Sequence, residues 1–391
     1  MFILILQLIS SLLLAYGAIV VIYLLFFAVA GRFRRSNRII ETSSAITRRM
    51  VVLIPAYKED AVILETARQS LGQTYPASCY DIVVIADSLR AETVWQLQTM
   101  PIQVMEVQFE KSSKAKALNM ALAELPGSYD VAVVLDADNI MAPDFLERVN
   151  GAVAGGARII QGHRVAKNTD SAVAVLDAIS EEINNHIFRQ GHGAVGLSAA
   201  LIGSGTAFEY GLLRTIMPDI KALGGFDKEL EMRLLQQRFK FVYLPDALVY
   251  DEKVPDEAIF ERQRTRWIAA QYKYFRLNAV GGLRALLTGN IDYADKVFQT
   301  MMLPRVLLLG GLLLGLLIGL LAQSYVFAGL VGVELLLLLV TFYLATPVGL
   351  LRQVGPTELL KLPVLFAHFL RSIYRMRTAR TQFLHTPHTV K

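Results

Sequence analysis

Cysteine and charge are both scarce in this 391-residue chain. A lone cysteine, Cys79, excludes an internal disulfide and any cysteine-built zinc site, and it agrees with a reducing compartment. Charged residues make up 19% of the chain against 54% apolar, too apolar for an ordinary soluble protein. The six histidines show no metal-ligand spacing. No G-x-G-x-x-G follows the first strand-like run; the G-x-G triplets, Gly203-Ser204-Gly205 among them, lie far downstream. A Walker loop is absent too. Hydride transfer on a dinucleotide fold and P-loop hydrolysis therefore lose support. The net charge of +5 comes with no nucleic-acid motif, so no nucleic-acid partner is expected. It suits anionic membrane lipids instead.

The uncharged stretches are concentrated at two places. Residues 1–30 carry no charge, and about 20 apolar residues cross a bilayer. The run is too long for the apolar part of a signal peptide, has no basic leader and is followed by arginines, so a retained transmembrane helix is expected. A second apolar block over 303–351 breaks at Gln323-Ser324, which predicts spans at 303–322 and 325–351. Glu334 lies inside the latter. Its cost in hydrocarbon requires that it face protein or water, or be protonated. Arg32, Arg34, Arg35, Arg38, Arg48 and Arg49 follow the first span, and Arg305 precedes the second. Arg352, Lys361, Arg371, Arg375, Arg377 and Arg380 follow the third. The positive-inside rule then predicts a multi-pass protein of the inner membrane with its middle in the cytoplasm. Residues 31–49 form a basic linker. Residues 352–391 form an interfacial segment, interrupted by Lys361, His368 and Arg371, and a tail with His385 and His388.

From Met50 the pattern changes. Apolar runs at 51–54, 82–85, 131–135 and 158–160 alternate with helical patterns near 61–72, 89–99, 114–124 and 142–153. This alternation predicts βαβ units and an α/β domain over 50–255 with a mostly parallel sheet. Ligands of such sheets bind at the carboxyl ends of the strands. There the chain places Pro55-Ala56-Tyr57-Lys58-Glu59-Asp60, Ala86-Asp87-Ser88 and Asp136-Ala137-Asp138-Asn139. Asp136 and Asp138, one residue apart after a buried strand, present two hard oxygen ligands to one Mg²⁺ or Mn²⁺. Such an ion stabilises a leaving diphosphate. Alone, the pair also reads as surface acids capping a helix; the matching acids on other strand ends favour a site.

Five motifs then occur in one order over about 50–270. They are Ile54-Pro55-Ala56-Tyr57-Lys58-Glu59, Asp87, Lys114-Ala115-Lys116-Ala117-Leu118-Asn119, Asp136-Ala137-Asp138 and Gln263-Arg264-Thr265-Arg266-Trp267. In this the chain resembles family-2 glycosyltransferases of the cellulose, hyaluronan and chitin synthase branch. The resemblance implies a GT-A fold, a Rossmann-like nucleotide-diphospho-sugar transferase sheet, and an inverting hexosyltransferase. It implies that Pro55, Ala56, Tyr57, Glu59 and Asp87 hold the base and ribose of a UDP-sugar, and that Lys114 approaches the nucleotide. A solvated residue on the first turn of a helix is the equal alternative for Lys114. Asp138 would be the principal metal ligand, with Asp136 beside it.

Gln263–Trp267 falls in a predicted interfacial helix region, 256–300. Arg264 or Arg266 can bond a diphosphate that gains charge as the sugar leaves, and Trp267, with Gln263, can meet an acceptor sugar. Gly203, Ser204 and Gly205 resemble the family's acceptor-site segment; a tight turn is the equal alternative. The family's general base sits in Thr-Glu-Asp. Here Gly225-Phe226-Asp227 stands in register, so the base is Asp227, with Glu229 as fallback and a helix N-cap as the structural alternative. That departure leaves open a catalytically silent membrane scaffold. The expected acceptor is a polysaccharide or a lipid-linked acceptor. Three spans are few for an export channel, which points to an oligomer or an export partner for a polysaccharide product.

Overall fold

The computed structural model describes residues 2–33, 46–222, 224–253 and 257–375. Arg34, Arg35, Arg38, Arg377, Arg380, His385 and His388 lie outside the described residues. A long helix α1 (Phe2–Arg32) precedes the alternation β1 (Met50–Tyr57), α2 (Ile63–Ser70), β2 (Tyr80–Asp87), α3 (Ala91–Gln98), β3 (Gln103–Val107), α4 (Lys114–Glu124) and β4 (Val131–Val134). Next come β5 (Ile140–Met141), α5 (Phe145–Ala154), β6 (Ile159–Ala166) and α6 (Ala172–Asn184). A π-helical turn, Asn185–Gly191, leads into α7 (His192–Ala194). β7 (Thr206–Glu209), α8 (Tyr210–Ile216), α9 (Phe226–Gln236) and β8 (Val242–Asp251) complete the domain.

The eight strands form one mixed sheet in the order β3-β2-β1-β4-β7-β6-β8-β5. Alternation along β1 sends Val51 and Leu53 into a core with Leu118 and Ala121 of α4, and Met50, Val52 and Ile54 into the opposite core with Ile63, Leu97 and Phe145. Helices therefore cover both faces, as a parallel sheet requires. β1 pairs in parallel with β2 and β4, so their carboxyl ends share one edge, with Tyr57 opposite Asp87. β7 inserts antiparallel between β4 and β6 and pairs Thr206 with Val134. That register carries Gly203-Ser204-Gly205 to the end of β4.

The sequence reading missed β3, β5, β7 and β8. β3 is a half-exposed edge strand, and β8 contains Pro245, which the sheet accommodates by a register shift against β6.

After the domain come α10 (Glu257–Leu287), α11 (Ile291–Met301), α12 (Arg305–Leu321), α13 (Tyr325–Ala345), α14 (Val348–Leu351) and α15 (Pro356–Arg375). α1 over Gln7–Arg32 and α13 are each long and apolar enough to cross a membrane. α12 qualifies only together with α11, from which it is bent by 55°. The expected span 325–351 stops at Ala345. Thr346 is extended (φ −103°, ψ 132°) because Pro347 follows it. α1 packs on α13, and α13 on α12. Glu334 faces protein: it is 7% exposed and abuts Gly17 of α1, where any side chain would collide with its carboxyl. α15 packs on α10 and α12 and leaves Leu359, Leu360, Leu370 and Tyr374 exposed, an apolar face suited to a membrane surface.

Candidate active site

One cavity of 1520 Å³ opens at the shared carboxyl edge of β1, β2 and β4. Pro55, Ala56, Tyr57 and Glu59 line it from the end of β1, and Asp87 from the end of β2. Lys58 and Ser88, just past these strands, hold left-handed backbones (φ 56° and 58°), and the Lys58 amide donates to the Asp87 carbonyl at 3.1 Å. Strain of this kind persists only where the surroundings enforce it. α4 begins at Lys114 because the Ser113 hydroxyl caps it, accepting from the Lys116 amide at 3.3 Å. The Lys114 side chain is partly buried. It donates to the Asp136 carboxylate and, at 2.5 Å, to the Gly203 carbonyl.

The Asp136-Ala137-Asp138 turn is held by buried polar residues behind it. The Asp136 amide donates to Ser204 Oγ at 2.9 Å, and that hydroxyl donates to Asn139 Oδ1 at 2.5 Å. Asn139 Nδ2 donates to Asp138 Oδ1 at 3.2 Å and to Asp251 Oδ1 at 2.9 Å. Gly203 lines the cavity; its φ of +75° strains any other residue, and an added Cβ would lie a tight 3.1 Å from the Asp227 Cβ. Ser204 and Gly205, also expected at the acceptor site, are not among the residues that line the cavity. Ser204 is fully buried as the prop of the Asp136 turn, and Gly205 is packed on Val249.

Asp227 lies in the first turn of α9, half-buried on the cavity wall. It is not the N-cap; Gly225, at φ +69°, takes that place. Desolvation raises its carboxyl above the usual carboxylate range, against the pull of Lys228 and Lys114. Glu229 is engaged elsewhere, accepting from Tyr274 Oη at 3.2 Å and Arg233 at 3.4 Å, so the fallback base is turned away from the cavity.

Gln263, Arg264, Arg266 and Trp267 of α10 all line the cavity, but the two arginines differ. Arg264 forms a buried ion pair with Asp177 of α6 and lies 4.1 Å over the Trp267 ring. Arg266 is half-buried, and desolvation lowers its pKa against the pull of the Asp136 charge. Arg264→Ala leaves Asp177 buried without its partner and is expected to cost about 3–5 kcal/mol of stability. Arg266→Ala is expected to melt within a few degrees of wild type yet lose about 10²–10³-fold in turnover. Thermal melts and initial rates on the two variants check this split.

Residues 48–270 match the model of the family described as "Glycosyltransferase like family 2". The chain belongs to this family. It is 28% identical over 239 residues to "Probable glycosyltransferase YdaM" of Bacillus subtilis (strain 168), covering 55% of this chain and 53% of that protein. It is 29% identical over 123 residues to "Glucans biosynthesis glucosyltransferase H" of Rhodopseudomonas palustris, covering 28% of this chain and 17% of that protein. The glycosyltransferase thus spans about half or less of the length of these curated relatives. Among solved structures it is similar to the "Mannosyltransferase PcManGT from Pyrobaculum calidifontis in complex with GDP-Man and Mn2+", with TM-score 0.56 and 17% identity over 86% of this chain and 99% of that one. The fold is the GT-A fold that the sequence resemblance implied.

Beneath the site, the glycosyltransferase carries an ionic network that sequence reasoning missed. Arg164 of β6 donates to Glu181 of α6 at 2.7 Å and lies 3.8 Å from Asp251 at the end of β8. Lys253 bonds Asp251 at 2.7 Å, and Arg189 lies 3.3 Å from Glu181. These cations hold the Glu181 carboxyl well below the usual range despite its burial. Asp251 shares Asn139 with Asp138, so the network anchors the metal-type turn. A carboxylate ending the strand-like run at 242–251 was the one available signal.

Asp136 and Asp138 suit a hard divalent cation. Among the described residues no group of three or more His, Cys, Asp or Glu side chains converges. The protein therefore offers two carboxylates on an open cavity, and a diphosphate and water can supply the remaining oxygens, as Mg²⁺ and Mn²⁺ favour.

Proposed function

We propose that this glycosyltransferase moves a sugar, with inversion, from a nucleotide-diphosphate donor to a hydroxyl of a glycan or lipid-linked acceptor at the cytoplasmic face of the inner membrane. The observation carrying this reading is the convergence of Lys114, Asp136, Asp138, Asp227 and Arg266 on one cavity. Pro55, Ala56, Tyr57, Glu59 and Asp87 hold the nucleotide, a UDP-sugar by sequence resemblance. The GDP-Man and Mn2+ of the PcManGT complex support a nucleotide-sugar and a divalent cation.

Mg²⁺ or Mn²⁺ held by Asp138, with Asp136, would supply Lewis-acid stabilisation of the leaving diphosphate. Asp227 takes the proton of the acceptor hydroxyl. The acceptor oxygen bonds the anomeric carbon while the bond from that carbon to the diphosphate oxygen breaks, its electron pair leaving with the diphosphate. Arg266 and Lys114 offset the charge that develops there. The apolar helices α1 and α13, and the basic residues at one end of each predicted span, support the membrane placement.

The test offers the purified protein a panel of UDP-sugars and GDP-mannose with Mn²⁺ or Mg²⁺, together with glycan oligosaccharides and a membrane lipid extract as acceptors, and measures release of nucleoside diphosphate. One donor class is expected to turn over, and EDTA is expected to stop it. No turnover of any donor under any cation would overturn the reading.

A further inference from the structure

The cavity is larger than the roughly 300–1,000 Å³ of ordinary small-ligand sites, and it does not end at the sugar-transfer residues. It continues between the apolar helices, lined by Leu24 of α1, Leu309 of α12, Leu339 and Phe342 of α13, and Leu365 and Phe369 of α15. At the join stands Arg305, the first residue of α12.

Arg305 differs from Arg164, Arg189 and Arg264, which also line the cavity. Arg164 and Arg189 pair with Glu181, and Arg264 pairs with Asp177. Arg305 bonds only neutral acceptors: Asn184 Oδ1 at 2.8 Å, the Ser180 carbonyl at 2.9 Å and Ser180 Oγ at 3.1 Å. Among the described residues no carboxylate lies within ion-pair distance of it. Those contacts orient the guanidinium fork without neutralising it. A planar guanidinium with no carboxylate in direct contact, beside a hydrocarbon-lined space, matches the phosphate of an amphiphile.

Its distance from the chemistry can be read along α6. Asp177, Ser180, Glu181 and Asn184 fall at i, i+3, i+4 and i+7, one face of that helix. Asp177 holds Arg264 beside Trp267, and Asn184 holds Arg305. Their separation of seven positions rises about 10 Å. A phosphate at Arg305 therefore leaves space for a sugar between itself and Trp267.

We infer that the acceptor is a sugar carried on a lipid phosphate, with its phosphate on Arg305 and its hydrocarbon tail between α1, α12, α13 and α15. This rests on the transferase reading above and names its acceptor class. The sugar hydroxyl attacks the anomeric carbon of the donor, its proton passes to Asp227, and the nucleoside diphosphate leaves with the bonding pair.

The test measures binding of a synthetic polyisoprenyl diphosphate to the full chain in detergent, with phosphatidylglycerol as competitor, for wild type and for Arg305→Gln and Arg305→Lys. Gln keeps hydrogen bonds to Ser180 and Asn184 without the charge; Lys keeps the charge. Loss of a charged hydrogen bond predicts affinity at least about tenfold weaker in Arg305→Gln, a smaller loss in Arg305→Lys, which keeps the charge without the planar fork, and no competition by phosphatidylglycerol. Equal binding by wild type and Arg305→Gln would overturn the inference. So would full competition by phosphatidylglycerol, which would make the site one for bulk membrane lipid. Nucleotide binding, measured in parallel, reads the donor site separately: its loss in wild type would refute the transferase reading, while its retention without polyisoprenyl diphosphate binding would refute the acceptor alone.

Discussion

Asp227→Asn is expected to lower sugar transfer about 10²–10⁴-fold, the range a positioned general base contributes, while nucleotide affinity stays near wild type. Asp227 is the carboxylate facing the cavity from α9, and Glu229 is bonded to Tyr274 and Arg233 instead. Its pKa is raised chiefly by desolvation. The working form is the carboxylate, so activity rises as pH rises through that pKa, and the acid limb lies above the ordinary aspartate value of about 3.9. The stability sign is opposite. A carboxyl raised on folding favours the folded state at low pH and weakens it as pH rises through the folded value. Asn removes that desolvated charge, so the variant should melt at or above the wild-type temperature near neutral pH. Initial rates, nucleotide titration and melts across pH separate these effects. Wild-type rates in Asp227→Asn would remove it as base.

Asp138→Asn is expected to reduce transfer by about 10³-fold or more, since Lewis-acid stabilisation by a metal contributes several kcal/mol. Asn139 donates to Asp138 Oδ1 and is itself fixed by Ser204 and Asp251, so the turn should survive the substitution. The diagnostic readout is the cation dependence of nucleotide binding. Wild type should bind more tightly with Mn²⁺, and the variant should show the same affinity with and without it. Full activity in Asp138→Asn would overturn the metal assignment.

Much of the strand-end part of the candidate site was legible because it is local. A buried apolar strand followed by Asp136-Ala137-Asp138, or by Pro55-Ala56-Tyr57, announces a strand end, and parallel strands share one functional edge. The acceptor half was less legible. Gly203-Ser204-Gly205 had the right family pattern, yet only Gly203 reaches the cavity. The register of β7 against β4 turns Ser204 inward to Asn139. Arg264 and Arg266 were indistinguishable in sequence, because what separates them is Asp177, 87 residues away.

The sequence by itself determined the fold class, the family and the apolar helices, because strand and helix periodicities and contiguous apolar runs are properties of neighbouring residues. Tertiary structure alone decided which arginine is committed to an ion pair and which carboxylate faces the cavity. It also decided that the cavity runs from Asp138 past Arg305 to the apolar helices. Those outcomes depend on contacts such as Asn139 with Asp251, 112 residues apart, which form only when the sheet closes.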